Sequence, residues 1–413
     1  MRITMILPAD ALLGGIRVLA AYAQRLAQRG HQVTVVQPRH PRPTIREILR
    51  TLRRTRKWPK APDGGPSYFD NITVLPPIAG LYGANYPASS KAGSFRRIKV
   101  PHPGPVTAAE IPDGDLVLAS WWETVEWVWA LPPSKGTKVH FMQDYEIWGG
   151  QVERVDATCR LPIPKIVITR WVANLLSSRF GQEPVAHVPN SVDTSLFNAP
   201  RRGKQKVPTV GLTYAPMRNK GSDISIQAIE RARKQVPNLK VIAFGANAPT
   251  ADLPLPSDAE FFFRVPDREL PTLYAACDAW LFGTRIAGFG LPILEAMACR
   301  TPVIGTPAGA APELLSHGGG IQVPMEDSEA MAEAIVHLCL LPEPRWRDYS
   351  DAAHLTAASY TWDDATDRFE AALEQIRTGT APGVLEQIPT GPASPVTPRA
   401  ARFGSRHVEG EVA

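Results

Sequence analysis

Short apolar runs alternate along the chain with longer stretches in which apolar residues return every three or four positions. Residues 3–7 are one such run and predict a buried strand. Ile16, Leu19, Ala23 and Leu26 then recur at helical spacing, with Arg17, Gln24, Arg25 and Gln28 on the other faces. Gly30 supplies a helix stop, and residues 32–36 form the next apolar run. A strand, a helix and a strand in this order require a crossover between parallel strands. Ligands of such sheets are expected beyond the strand C-termini. Further runs at 116–120, 138–142 and 166–169 extend the first sheet, with a helix through Trp171, Leu175 and Leu176. The pattern restarts at residue 209: strands at 209–212, 239–245, 279–282 and 301–306, a helix running to Gln235 and a stripe at Leu270, Leu273, Tyr274 and Cys277. Helices at 328–338 and from Trp362 to about Ile376 follow.

The predicted fold class is therefore α/β, two doubly wound parallel-sheet domains with no internal sequence repeat. The first spans 1–190, an exposed basic linker 191–208, and the second spans 209–361. Residues 378–413, rich in Pro, Gly, Ala, Ser and Thr without apolar periodicity, read as a disordered tail. The region 61–112 reads as loops with one or two strands, one of them at 72–75.

Residues 44–60 break the pattern. Ile45, Ile48, Leu49, Leu52 and Trp58 form an apolar stripe, while Arg46, Arg50, Arg53, Arg54, Arg56 and Lys57 carry positive charge. Such a segment fits an amphipathic helix on an anionic membrane surface, and equally a solvated basic helix packed on its own domain. The 413 residues suffice for two cores, and 44% hydrophobic with 21% charged residues is the composition of a folded protein. A net charge of +5 favours anionic partners such as nucleotide phosphates or lipid headgroups. No nucleic-acid-binding signature accompanies it, so no nucleic-acid partner is expected. Cys159, Cys277, Cys299 and Cys339 lack CxxC spacing, so neither a zinc site nor a disulfide framework is expected. The first residues are too short for a signal-peptide core and no apolar run reaches spanning length. The expected location is the cytoplasm, with peripheral attachment to the inner face of the cell membrane as the alternative.

The candidate chemistry centres on Thr284 to Ala298. A strand ends in the tight Gly288-Phe289-Gly290 turn, and Pro292 then occupies the first turn of a helix, where its missing N–H costs nothing. The glycines let the backbone approach a ligand, and the free N–H groups of the helix suit an anion. Glu295, one turn in and apolar on both sides, is suited to accept paired hydrogen bonds from sugar hydroxyls, or else to cap or salt-bridge. Arg218 and Lys220 precede another helix and are suited to neutralise a diphosphate, against the bland reading of a basic helix entry. In the first domain, Gly14-Gly15 follow the first strand. Trp121, Trp122 and the run Gln143-Asp144-Tyr145-Glu146 follow two others, as sugar recognition by stacking and hydroxyl acceptance requires. The two tryptophans fit a core role as well.

Gly-Phe-Gly-Leu-Pro-x-Leu-Glu-Ala-Met-Ala resembles the donor-site signature of retaining glycosyltransferases of the GT-B fold, family 4. Gly14-Gly15, the Pro189-Asn190-Ser191-Val192-Asp193 element, Lys220-Gly221 and Phe262 to Asp267 are similar to further family elements in the same order. The Gln-Asp-Tyr-Glu-x-Trp run looks like a rhamnosyltransferase-like subgroup. The resemblance implies transfer of a sugar from a nucleotide diphosphate sugar to a carbohydrate or glycolipid hydroxyl, with retention and without a metal. It implies catalytic roles for Asp144, Lys220 and Glu295. Donor binding falls to Arg218, Lys220, Arg264, Val265, Gly288, Phe289, Gly290, Leu291 and Glu295. Gly14, Gly15, Trp121, Gln143 and Asp144 stand on the acceptor side. The last helix should cross back to the first domain. Two departures stand out: Ala287 occupies the place of the family's first Glu, which touches the transferred sugar, and Gln143 stands where many members have His. The alternatives are a catalytically weak nucleotide-sugar-binding or scaffolding protein, and an epimerase or phosphorylase of the same fold.

Overall fold

The computed structural model describes residues 1–8, 14–39, 95–147 and 152–379. The basic stretch 44–60, the strand expected at 72–75 and all but the first two residues of the predicted tail lie outside the described residues.

Among the described residues, seven parallel strands build the first sheet: β1 (Arg2–Ile6), β2 (Gln32–Pro38), β3 (Arg96–Val100), β4 (Leu116–Ala119), β5 (Thr137–Met142), β6 (Lys165–Val167) and β7 (Ala186–His187). Their order is β3-β2-β1-β4-β5-β6-β7, with Ile3 opposite both Val33 and Leu116. The second sheet has six parallel strands: β8 (Thr209–Thr213), β9 (Lys240–Gly245), β10 (Glu260–Phe263), β11 (Ala279–Phe282), β12 (Val303–Gly305) and β13 (Gly320–Gln322). Their order is β10-β9-β8-β11-β12-β13. Each order reverses direction once, between β1 and β4 and between β8 and β11. The loops leaving those strands diverge to opposite faces and open a crevice at the strand C-termini.

The apolar runs are buried because both faces of each sheet are covered by helices. Met5, Leu118, Phe141, Trp280, Ile304 and Val303 are all fully buried. The final helix, Trp362–Thr378, leaves the second domain and packs on the first. Phe369 stacks on Tyr22 at 4.2 Å between ring centroids and lies 5.0 Å from Phe141, while Trp362 meets Tyr22 edge-on at 5.5 Å. Charges rim this contact: Arg29 pairs with Asp367 and Glu370, His31 Nε2 lies 2.7 Å from Glu370, and Arg25 pairs with Asp363. The two chain crossings between the domains touch each other. Ser191 Oγ donates to the Thr361 carbonyl at 2.9 Å and Val192 N to that of Tyr360 at 3.4 Å.

Some elements differ from the sequence pattern. The helix after Lys220 begins only at Ser222, because Arg218–Lys220 form a 3-10 turn ended by Gly221 in the left-handed region. β3 is an edge strand of largely polar residues (Arg-Arg-Ile-Lys-Val), with no apolar run to announce it. The helix Glu343–Ala358 buries Trp346, Ser350, Ala353, Thr356 and Ala357, mostly small or polar side chains whose spacing gives little hydrophobic contrast.

Candidate functional site

Every segment that lines the interdomain cleft follows the C-terminal end of a strand. The first domain supplies Pro8, Gly14 and Gly15 after β1, Ser120 and Trp121 after β4, and Gln143, Asp144 and Glu146 after β5. It also supplies Ile168 after β6 and Asn190 after β7. The second supplies Thr213 at the end of β8, Ala215 and Lys220 after it, and Gly283, Thr284 and Ala287 to Pro292 after β11. The enclosed space is about 390 Å³, enough for a small polar ligand.

On the second domain's wall, two loops are bound to each other by their backbones. Asn219 O accepts from the N–H groups of Arg285 at 2.9 Å and Ile286 at 3.3 Å. Gly221 has φ +63°, and a Cβ there would lie 1.7 Å from the Gly283 carbonyl oxygen, so this crossing requires glycine. Arg285 completes the joint with a bidentate pair to Asp223 (2.7 and 2.8 Å) and a pair to Glu326. The hydrogen bonds it donates to both carboxylates raise its pKa further above the usual arginine range. This arginine is thus structural: it holds Lys220 and the Gly288–Gly290 turn in one wall. Lys220 is exposed, at the entry of Ser222–Ala232, and lines the cleft beside the N-terminus of the helix Leu291–Ala298. A cation beside two helix N-termini on one wall makes an anion site.

The opposite wall touches this one closely. A Cβ on Gly288 would lie 2.0 Å from the Gln143 carbonyl oxygen, so only glycine allows this approach. Trp171 Nε1 donates to Gly288 O at 3.3 Å, and Arg170 N to Glu313 Oε1 at 3.1 Å. Gln143 Nε2 donates to Gly15 O at 3.1 Å, while its buried Oε1 has no partner. Asn190 Oδ1 and Thr213 Oγ1, both on the cleft, are likewise buried without a partner. Asp144 Oδ1 accepts from the Tyr145 N–H at 2.8 Å. Glu146 is buried and accepts one hydrogen bond of 3.3 Å from the Trp122 N–H, in the first turn of Trp122–Ala130. Burial, then the charge of Asp144, pushes its pKa well above the usual carboxylate range against that bond.

Glu295 is buried as its apolar flanks imply, and its carboxylate is engaged across the domain boundary. Arg17 Nη1, from the first domain's helix Gly14–Gln28, donates to Oε1 at 2.9 Å, and Tyr274 Oη donates to Oε2 at 2.8 Å. Arg17 also lies 3.8 Å from Asp267 and 5.5 Å over the Phe197 ring. Burial raises the Glu295 pKa, while Arg17 and the Tyr274 hydroxyl pull it down.

The cleft therefore gathers Gly14, Gly15, Trp121, Gln143, Asp144, Lys220, Gly288, Phe289, Gly290 and Leu291 of the expected residues. Arg218, Arg264, Val265 and Glu295 are not part of its lining. Arg218 is exposed, with its carbonyl accepting from Arg285, and Arg264 stacks over Phe263 at 5.0 Å. The tryptophan pair divides: Trp121 faces the cleft, and Trp122 is buried under Arg154 at 4.5 Å. Arg17, Tyr274 and Arg285 were not singled out by sequence. Arg17 does carry a local signal, a cation two residues after Gly14-Gly15. Among the described residues no group of three or more His, Cys, Asp and Glu side chains is arranged to hold a metal, and no helix is long and apolar enough to cross a membrane.

Comparison with known proteins adds to this geometry. Residues 204–340 match the family described as glycosyl transferases group 1. A GDP-mannose-dependent alpha-(1-6)-phosphatidylinositol monomannoside mannosyltransferase of Mycolicibacterium smegmatis is 30% identical over 204 residues, 43% of this chain and 53% of the relative. The chain thus matches about half of that relative's length. Among solved structures, a sucrose-phosphate synthase of Thermosynechococcus elongatus superposes with TM-score 0.67 at 16% identity, covering 92% of this chain and all of that one. Anabaena HepE, solved with UDP and glucose, has TM-score 0.62 at 16% identity over 91% of this chain and all of its own. At such identities the likeness shows the fold, which is GT-B: two Rossmann-like domains facing a cleft.

Proposed function

We propose that the protein is a glycosyltransferase that moves a sugar from a nucleotide diphosphate sugar to a hydroxyl of a carbohydrate or glycolipid acceptor, with retention and without a metal. One observation carries this reading: the cleft sets an anion wall (Lys220 and the helix start at Gly290) against a hydroxyl-accepting wall (Gln143, Asp144, Glu146). The family match over 204–340 and the mannosyltransferase relative support it. In this reading Lys220 and the helix N–H groups take the charge of the departing diphosphate, which accepts the incoming hydroxyl's proton during attack on the same face. Asp144 orients hydroxyls, and Glu295 shares its remaining lone pairs with the ribose beside Arg17 and Tyr274. Arg218 and Arg264 stand at the rim, where domain closure brings them to phosphate and base. A cytoplasmic location with peripheral attachment through 44–60 belongs to the same proposal, and co-sedimentation with anionic vesicles tests it.

Thermal unfolding with uridine, guanosine, thymidine and adenosine diphosphates and their sugars tests the core of it. At a hundred times its Kd the right ligand stabilises by about 2.7 kcal/mol, and Lys220→Ala removes most of that. No response to any of them would refute the transferase reading. A second reading, a nucleotide-sugar-binding protein with weak turnover, is favoured by one observation: Ala287 on the cleft carries no carboxylate. Ala287→Glu separates the two. Transfer that falls in the variant belongs to a working pocket, and transfer that appears only in the variant belongs to a binding protein.

A further inference from the structure

We infer that Glu146 is the residue that reads the hydroxyls of the transferred sugar, supplied across the cleft by the first domain; this rests on the donor reading above. The second domain's contribution to the cleft contains no carboxylate: Ala287 is small, and Glu295 is turned to Arg17 and Tyr274 outside the lining. Among the described residues, the carboxylates that line it are Asp144 and Glu146, both on the segment after β5. That segment is pressed against the sugar end of the anion wall, since Gly288 approaches the Gln143 carbonyl so closely that a Cβ would sit 2.0 Å away. A sugar attached to a diphosphate at Lys220 and Gly290 therefore meets this segment first.

Of the two acids, Asp144 spends Oδ1 on the adjacent Tyr145 N–H at 2.8 Å. Glu146 is 4% exposed and has one long hydrogen bond, 3.3 Å, from Trp122 N. A buried carboxylate so poorly served is destabilising unless something else donates to it. Burial and the neighbouring Asp144 accordingly hold its pKa high. Gln143 repeats the deficit: it is nine-tenths buried, its Nε2 is committed to Gly15 O, and its Oε1 has no partner on the same wall. Two acceptors short of donors, on one segment of the cleft wall, fit a ligand rich in hydroxyls. Protonated or ionised, Glu146 serves a sugar, which both donates and accepts.

The test is to titrate tryptophan fluorescence with UDP against UDP-glucose and GDP against GDP-mannose, in the wild type and in Glu146→Gln and Glu146→Ala. The quantity read is the ratio of the two Kd values in a pair, the gain in affinity that the sugar brings. The expected result is that Glu146→Ala lowers this ratio at least tenfold and Glu146→Gln by less, with the nucleoside diphosphate's own Kd changed less than twofold. Ala287→Glu in the Glu146→Ala background is expected to restore part of the ratio by offering a carboxylate from the opposite wall. An unchanged ratio in Glu146→Ala would overturn the inference while leaving the donor reading intact. So would an equal loss for diphosphate and sugar, which marks a structural role. Failure of uridine, guanosine, thymidine and adenosine diphosphates alike to bind the wild type removes the donor reading itself, and this inference with it.

Discussion

Arg17 and Glu295, 278 residues apart in sequence, form a charge pair that joins the domains, and its worth can be bounded. The Glu295 side chain is 7% exposed and that of Arg17 23%, so solvent screens the pair only partly. Removing one partner of such a pair typically costs about 3–5 kcal/mol, because the other charge is left buried. Protonation sets a lower ceiling here. A glutamate with an ordinary pKa of 4.5 needs about 3.4 kcal/mol to take up a proton at pH 7, and about 1.4 kcal/mol at pH 5.5. Arg17→Ala is therefore expected to lower the free energy of unfolding by about 2–3 kcal/mol at pH 7, with Glu295 becoming a neutral acid that Tyr274 still donates to. At pH 5.5 the loss should shrink to about 1 kcal/mol. The sign follows from linkage: without Arg17 the folded state binds a proton that the unfolded state releases above pH 4.5, so rising pH destabilises the variant. Glu295→Gln in the Arg17→Ala background removes the trapped charge and should recover most of the loss at pH 7. Urea unfolding at both pH values gives all the quantities. A loss below about 0.5 kcal/mol at pH 7, or the same loss at both pH values, would refute the reasoning.

Three further outcomes are expected. Gly288→Ala places a methyl against the Gln143 carbonyl and should hold the domains apart, raising the radius of gyration in small-angle scattering and weakening any transfer more than tenfold. Phe369→Ala removes a fully buried ring from the contact with Tyr22 and Phe141 and should cost about 3–5 kcal/mol, read from denaturant midpoints. Burial lowers the pKa of His140 to about 3 and of His187 to about 4, from 6.5. Both are neutral in the fold and charge on unfolding, so stability is complete above pH 6.5 and falls by about 2 kcal/mol for each His on going to pH 5. His140, with neither ring nitrogen partnered, accounts for half of this, and His140→Leu should halve the slope between pH 6.5 and 5.

The sequence carried the parts of the site that local physics governs. The Gly288–Gly290 turn with Pro292, the Lys220-Gly221 turn, Gly14-Gly15 and the polar run at Gln143 to Glu146 each announce a strand end followed by a turn or helix. The burial of Glu295 was also readable, from its apolar flanks. Its partners were not, because Arg17 reaches it from the other domain and Tyr274 looks like any member of an apolar helix stripe. Arg285 illustrates the same limit: two acids from separate elements, which the sequence does not bring together, make it a joint. β3 falls where one or two strands were expected but could not be placed, because an edge strand needs no apolar run, and Glu343–Ala358 was missed because small residues carry its buried face.

The paired crossings at Ser191 and Thr361 have a mechanical consequence. Two strands of backbone pass between the lobes side by side and are tied to each other by hydrogen bonds, so they act as one leaf of a door hinge rather than as two tethers. Such a mounting resists twist and lateral slip and leaves a swing about one axis. The Gly288–Gln143 contact, the Trp171–Gly288 bond and the Arg17–Glu295 pair are then the catches along the free edge of that door.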